Sequence, residues 1–157
     1  MQQLDPSVKT LWSVQLLLST LLFTALVFSY EFLTLGSGDR FLPFTFGVWT
    51  GIVFVVGLVI SFVLPLLRYK AWGYEFREGE IHVRRGVLTR IYTVAPTTRI
   101  QHLDVAQSLT ERLFELGRLV IYTAGTRGAD IVIPGLPLVY AQALRDHLKN
   151  ITVEDAV

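Results

Sequence analysis

The chain has 157 residues, 52% hydrophobic and only 17% charged, with a mean hydropathy of +0.48 and a formal net charge of +1. Soluble domains carry about 25% charged residues, so this deficit and the positive hydropathy argue against a wholly soluble globule and exclude a disordered chain, and no global field marks a nucleic-acid binder. The lack of cysteine removes disulfide scaffolds, thiolate zinc sites, iron–sulfur clusters and thiol catalysis.

Residues 10–30 contain no charged side chain, and neither do residues 41–67. At about 1.5 Å of rise per residue the first run covers roughly 30 Å, one hydrocarbon core, and the second is long enough to cross with some tilt. Two transmembrane helices are expected, at about 10–30 and 43–66, within an N-terminal segment of residues 1–67. The start, MQQLDPSVK, lacks the basic region and small-residue cleavage site of a signal peptide.

The link between the runs centres on Gly36-Ser37-Gly38-Asp39, a turn by composition, so the helices should form an antiparallel hairpin. Its far end carries Arg40 alone, whereas Lys9, Arg68 and Lys70 flank the near end. The positive-inside rule then places both termini in the cytoplasm of a multi-pass cell-membrane protein. Trp12 and Trp72 fall at the cytoplasmic ends and Tyr30 at the other, as in an interfacial aromatic belt. Gly47 and Gly51 form a G-x-x-x-G, a candidate helix-packing motif whose expected partner is the first helix. Pro43 and Pro65 lie near the ends of the second span. Neither span holds an ionisable residue, which argues against a transporter core.

Residues 68–157 carry 12 Lys or Arg and 10 Asp or Glu, a balanced domain of about 90 residues. Its pattern is mostly of period two. Trp72, Tyr74 and Phe76 alternate with small or polar residues, and a turn follows at Glu78-Gly79. Ile81 and Val83 mark a second strand that turns at Arg85-Gly86. Tyr92 and Val94 share a face of a third, and Leu103 and Val105 a face of a fourth. Ser108 and Glu111 are spaced as a capping box for a short helix carrying Leu109, Leu113 and Leu116, with Gly117 as its expected terminator. A fifth strand alternates Leu119 and Ile121 against Val120 and Tyr122. A turn at 126–128 leads to a short strand closed by Pro134-Gly135. Residues 137–151 read as a helix, Pro137 in its first turn, with Ala141, Leu144, Leu148 and Ile151 as one apolar stripe. Six or seven antiparallel strands and one amphipathic helix imply a partly open barrel or sandwich capped by that C-terminal helix.

Several ordered motifs then converge: Arg84-Arg85-Gly86-Val87-Leu88-Thr89-Arg90, Val94-Ala95-Pro96, Arg99-Ile100-Gln101-His102-Leu103-Asp104-Val105, Thr123-Ala124-Gly125 and Pro134-Gly135-Leu136. Together with two preceding membrane helices they resemble the membrane-flanked bacterial PH-like (YdbS-like) family. Leu113-Phe114-Glu115-Leu116-Gly117 departs from the F-G-L order of that pattern. The resemblance covers nearly the whole chain. It implies a membrane helical hairpin joined to a mainly-β, PH-like domain, and it implies little about chemistry.

No enzyme is expected. His82, His102 and His147 lie on different elements without ligand spacing, so neither a metal nor a cofactor is anticipated. His102 and Asp104 share a strand face near Ser108, but same-face strand neighbours point in parallel and do not make a triad. No Walker A loop or G-x-G-x-x-G is present. The binding candidates are Arg84, Arg85, Arg90 and Arg99, suited to anionic lipid headgroups. The competing reading pairs these arginines with Glu78, Glu80 and Asp104 on a solvated sheet. The expected function is a membrane-anchored binding or scaffold module in a membrane protein complex. Its partner would be another PH-like membrane protein or a second copy; the alternative is recognition of anionic lipid in the bilayer itself.

Overall fold

The computed structural model describes residues 1–34, 46–77, 79–124 and 131–154, the side chains of 152–154 excepted. The expected turns at 36–39 and 126–128, with Arg40, Pro43 and Glu78, lie outside the described residues. Two compact units result: Trp12–Leu66, and Met1–Leu11 together with Leu67–Val157.

Two helices form the first unit and run on into the second: α1, Ser7–Leu33, and α2, Val48–Ala71. In the most apolar 18-residue window of each, only 11% is buried. Leu22, Phe32, Val55 and Val59 are among many large apolar side chains left exposed. A water-soluble fold does not tolerate such a surface, and a bilayer requires it. α2 passes through Pro65 and continues six residues beyond it, so this proline lies inside the helix rather than near its end.

Contacts between the helices run antiparallel. Thr20 Oγ1 lies 3.2 Å from Ser61 Oγ. Further along, the carboxylate of Glu31 accepts hydrogen bonds from the backbone N–H of Gly47 at 3.1 Å and of Trp49 at 3.3 Å, and from the Thr50 hydroxyl at 2.6 Å. An anion from α1 thus caps the N-terminus of α2, where orphan N–H groups and the helix dipole favour negative charge. The expected packing motif is corrected here. Gly47 precedes the helix with φ +86°, and a Cβ at Gly47 or Gly51 would meet none of the described residues within 4 Å. The close approach is at Gly57, where a Cβ would collide with the Thr20 side chain. G-x-x-x-G spacing does not fix which way a helix face is turned, and α2 turns Gly57 and Ser61 to its neighbour.

The second unit is built from two three-stranded antiparallel sheets. One contains β1 (Gly73–Arg77), β2 (Glu80–Arg85) and β3 (Ile91–Pro96) in that order. A 3₁₀ turn, Thr97–Arg99, leads to the other: β4 (Ile100–Ala106), β5 (Leu116–Thr123) and β6 (Ile131–Pro137). A short helix, α3 (Leu109–Leu113), joins β4 to β5, and α4 (Leu138–Glu154) follows β6. The sheets do not close on each other, giving the partly open, helix-capped domain expected from the alternation.

Alternation places Ile81, Val83, Leu119, Ile121, Ile131 and Ile133 in the core, and α4 buries Ala141, Leu144 and Leu148 against them. Burying each large aliphatic side chain is worth about 1.5–3 kcal/mol, which makes this cluster the main source of stability. Trp72 is buried as well, at 6% exposure, and so is Trp12. These indoles are packed inside the protein and do not serve as free belt residues.

At α3 the capping box is present: Ser108 Oγ accepts from the Glu111 N–H, and the Glu111 carboxylate accepts from the Ser108 N–H at 2.6 Å. Gly117 does not terminate this helix. Glu115 takes the left-handed conformation, φ 54°, and Gly117 lies within β5, close to Leu138 and the Ala106 carbonyl. Pro137 closes β6, and the helix begins one residue later.

The N-terminal residues complete this unit. Gln2 pairs with Tyr74 on the free edge of β1, its N–H donating to the Tyr74 carbonyl at 2.7 Å and its carbonyl accepting in return at 3.0 Å. Asp5 N–H donates to the Gly135 carbonyl on β6 at 3.0 Å. Leu4 and Val8 are buried, and the Tyr69 hydroxyl donates to the Leu4 carbonyl at 3.1 Å. The segment therefore bridges the outer edges of both sheets. Lys9 Nζ sits 4.6 Å from the Tyr69 ring centroid, a cation–π contact joining the first turns of α1 to the last turns of α2.

Candidate functional site

Leu67, Lys70 and Ala71 occupy one face of the last turns of α2, at i, i+3 and i+4. They form one wall of a cavity of about 270 Å³ whose other walls are Arg84, Gly86, Val87 and Arg90. Period two explains Arg84: with Ile81 and Val83 in the core, it must point to the outer face of the first sheet. Its cross-strand partner on β1 is Gly73, which leaves space for the guanidinium. Gly86 follows at φ +101°, where a Cβ would strike the Thr89 carbonyl oxygen. Glycine thus folds residues 86–90 into a tight turn, setting Val87 and Arg90 beside Arg84.

Among the described residues, three cations and no acidic residue line this cavity. Glu80 is engaged by His82 at 2.9 Å, and Asp104 by His102 at 2.8 Å. Among the described residues no ion pair involves Lys70, Arg84, Arg85, Arg90 or Arg99, so the expected pairing of the arginines with Glu80 and Asp104 is not what forms; Glu78 lies outside the described residues. Of the four candidate arginines, two come together. Arg85 is on the opposite side of β2 from Arg84, and Arg99 sits exposed in the 3₁₀ turn; neither lines the cavity. Lys70, the third cation, was visible in the sequence only as a flanking charge.

A second, shallower groove of about 590 Å³ lies between β4 and α4, lined by Ile100, Gln101, His102, Leu103, Arg145, Asp146 and Lys149. Its charges largely compensate: Arg145 binds Asp146 at 2.7 Å. His102 lies beside Tyr122, ring centroids 5.8 Å apart and planes tilted by 34°, and the Ser108 hydroxyl is committed to its helix cap. Among the described residues no group of three His, Asp or Glu is placed to hold a metal ion. Elsewhere in the unit, the Arg77 guanidinium hydrogen-bonded to Glu75 at 3.1 Å holds that carboxyl below its ordinary range. Burial, with a smaller effect from Tyr140, pushes the Tyr74 phenol well above its usual value.

A model of the family described as "Bacterial PH domain" matches residues 17–152, taking in most of α1 and all of α2 as well as both sheets. The chain belongs to the bacterial PH domain family. It is also 31% identical over 102 residues to the UPF0699 transmembrane protein YdbS of Bacillus subtilis (strain 168), over 64% of this chain and 62% of that one. The chain therefore spans less than two thirds of that relative's length. No solved structure matches. This bacterial PH-domain protein is membrane-associated: its two apolar helices and its transmembrane relative agree on that.

Proposed function

We propose that the protein is a non-catalytic, two-pass membrane module with both termini cytoplasmic, whose basic cavity holds an anionic lipid headgroup. The observation that carries this reading is the convergence of Lys70, Arg84 and Arg90, without a described counter-ion, on a cavity that shares a wall with α2. Leu67 is the last residue of the charge-free run. Lys70 lies about 4.5 Å further along the helix, inside the headgroup zone of a bilayer. Cations near an anionic surface gain about 1 kcal/mol each, so three give about 3 kcal/mol, roughly a hundredfold preference over neutral lipid. Arginine adds bidentate geometry toward phosphate.

The direct test uses the full chain in nanodiscs of mixed phosphatidylglycerol and phosphatidylcholine. Native mass spectrometry of the released protein should find phosphatidylglycerol retained. The triple variant Lys70→Ala, Arg84→Ala, Arg90→Ala should lose that preference, while Arg85→Ala and Arg99→Ala should keep it. Equal retention of both lipids by the wild type would refute the proposal.

A scaffold role in a membrane protein complex has its own observation. β4 is an edge strand of its sheet, and it borders the groove beside α4. In an antiparallel pair, alternate residues turn both backbone polar groups away from the partner, so such an edge can accept an added strand from another protein. Crosslinking from Gln101 in native membranes tests this reading.

A further inference from the structure

We infer that residues 86–90 form a membrane-inserting loop, with Leu88 entering the acyl boundary of the bilayer while Arg84, Arg90 and Lys70 sit at the phosphate level. The inference rests on the headgroup reading of the same cavity and adds an apolar contact to it. Leu88 is 99% exposed. A single exposed leucine is ordinary on a soluble surface, but here its neighbours give it a meaning. Val87 lines the same cavity as Leu67, so the loop lies beside the helix turn where the charge-free run ends. The turn is held by Gly86, whose positive φ and crowded position fix the backbone, so the leucine is presented by a shaped loop. Charge complements the apolar tip. The cations beside it would meet phosphates while the leucine passes between them, the division of an interfacial anchor. The occupant is a lipid bilayer, because the cavity is walled by the last turns of α2, a helix long and apolar enough to cross one.

The native chain has no cysteine, so Leu88→Cys can carry a single environment-sensitive nitrobenzoxadiazole label in the full-length protein. Asn150→Cys, at an exposed position on α4, serves as the reference. Both are placed in nanodiscs, one set of phosphatidylcholine alone and one containing phosphatidylglycerol. The label at 88 should show blue-shifted emission, quenching by doxyl-labelled lipid and protection from iodide; the label at 150 should show the reverse. Insertion in both lipid sets, without dependence on phosphatidylglycerol, supports the loop while counting against the headgroup reading. Free access of iodide to position 88 and no doxyl quenching in either set would overturn the inference. Protection from iodide without doxyl quenching would also overturn it, because a protein surface would then cover the loop.

Discussion

Gly135→Ala should detach the N-terminal segment from the second sheet. Gly135 has φ +63°, and an added Cβ would fall 2.5 Å from Val8 Cγ2 and 2.7 Å from Val8 Cβ. Two costs combine. The left-handed conformation costs a non-glycine residue about 1–2 kcal/mol. Forcing a methyl into an occupied site costs about 1–3 kcal/mol more. The neighbour cannot simply swing away, because Val8 is a stiff, buried side chain and Asp5 N–H is bonded to the Gly135 carbonyl. The expected loss is about 2–5 kcal/mol, which in a unit of roughly 100 residues lowers Tm by about 10 °C or more. Fluorescence-detected thermal unfolding in detergent reads it, with buried Trp72 as a reporter within the unit. A double-mutant cycle separates the two costs. Val8→Ala alone should cost about 1.5 kcal/mol from lost burial. Combined with Gly135→Ala it should cost less than the sum, since the collision with Val8 Cγ2 is relieved while the close approach to the retained Cβ and the backbone strain remain. A Gly135→Ala protein with unchanged Tm, or strict additivity in the cycle, would refute the reasoning.

Three further outcomes are expected. Glu115 occupies a left-handed position, φ 54°, so Glu115→Gly should stabilise the domain by about 1 kcal/mol despite glycine's larger unfolded-state entropy, measurable as a rise in Tm. Gly57→Leu should separate α1 from α2, whereas Gly51→Leu should be tolerated, because only Gly57 touches Thr20; an engineered disulfide between the helices reports which pairing survives. Tyr74 has its folded pKa raised by burial, so the folded state keeps a proton that the unfolded chain releases above about pH 10. Stability from this group is therefore full below pH 10 and falls as pH rises beyond it, and Tyr74→Phe should flatten that alkaline decline in pH-dependent unfolding.

Features set by near neighbours in the chain are legible in the sequence. Ile81 with Val83, and Leu119 with Ile121, declare their shared face because strand side chains alternate. Ser108 and Glu111 declare a cap because both partners lie within one turn. The stripe of Ala141, Leu144 and Leu148 follows from helical spacing. What was hidden depends on residues far apart or on rotational phase. Leu4 and Val8 sit in a stretch too short for any period, and their partners Tyr69 and Gly135 are more than 60 residues away. Glu31 looks like the start of a polar link, yet it caps a helix that begins at Val48. Gly57 carries no motif, while Gly47 and Gly51 do and approach none of the described residues. Arg84 and Arg90 were candidates by charge alone; that Lys70 joins them, and that Arg85 and Arg99 do not, follows from how the β2–β3 turn lies beside the end of α2.

The shallow form of the basic cavity bears on which anion it can hold. Roughly 3 kcal/mol from three interfacial cations, acting on a freely diffusing ligand, corresponds to binding weaker than about 1 mM. A soluble phosphate compound would gain little from such a site. A lipid headgroup meets it under different conditions. On the proposed reading the cavity faces the bilayer surface, so the encounter costs little translational freedom and the effective lipid concentration is high. A modest preference then suffices to keep an anionic lipid beside α2. The two cases separate in one competition: glycerol phosphate, added at concentrations that match the headgroup chemistry without the acyl chains, should leave phosphatidylglycerol retention unchanged. Displacement of the lipid by the soluble compound would assign the cavity to a small anion and remove the reason for placing it at a membrane.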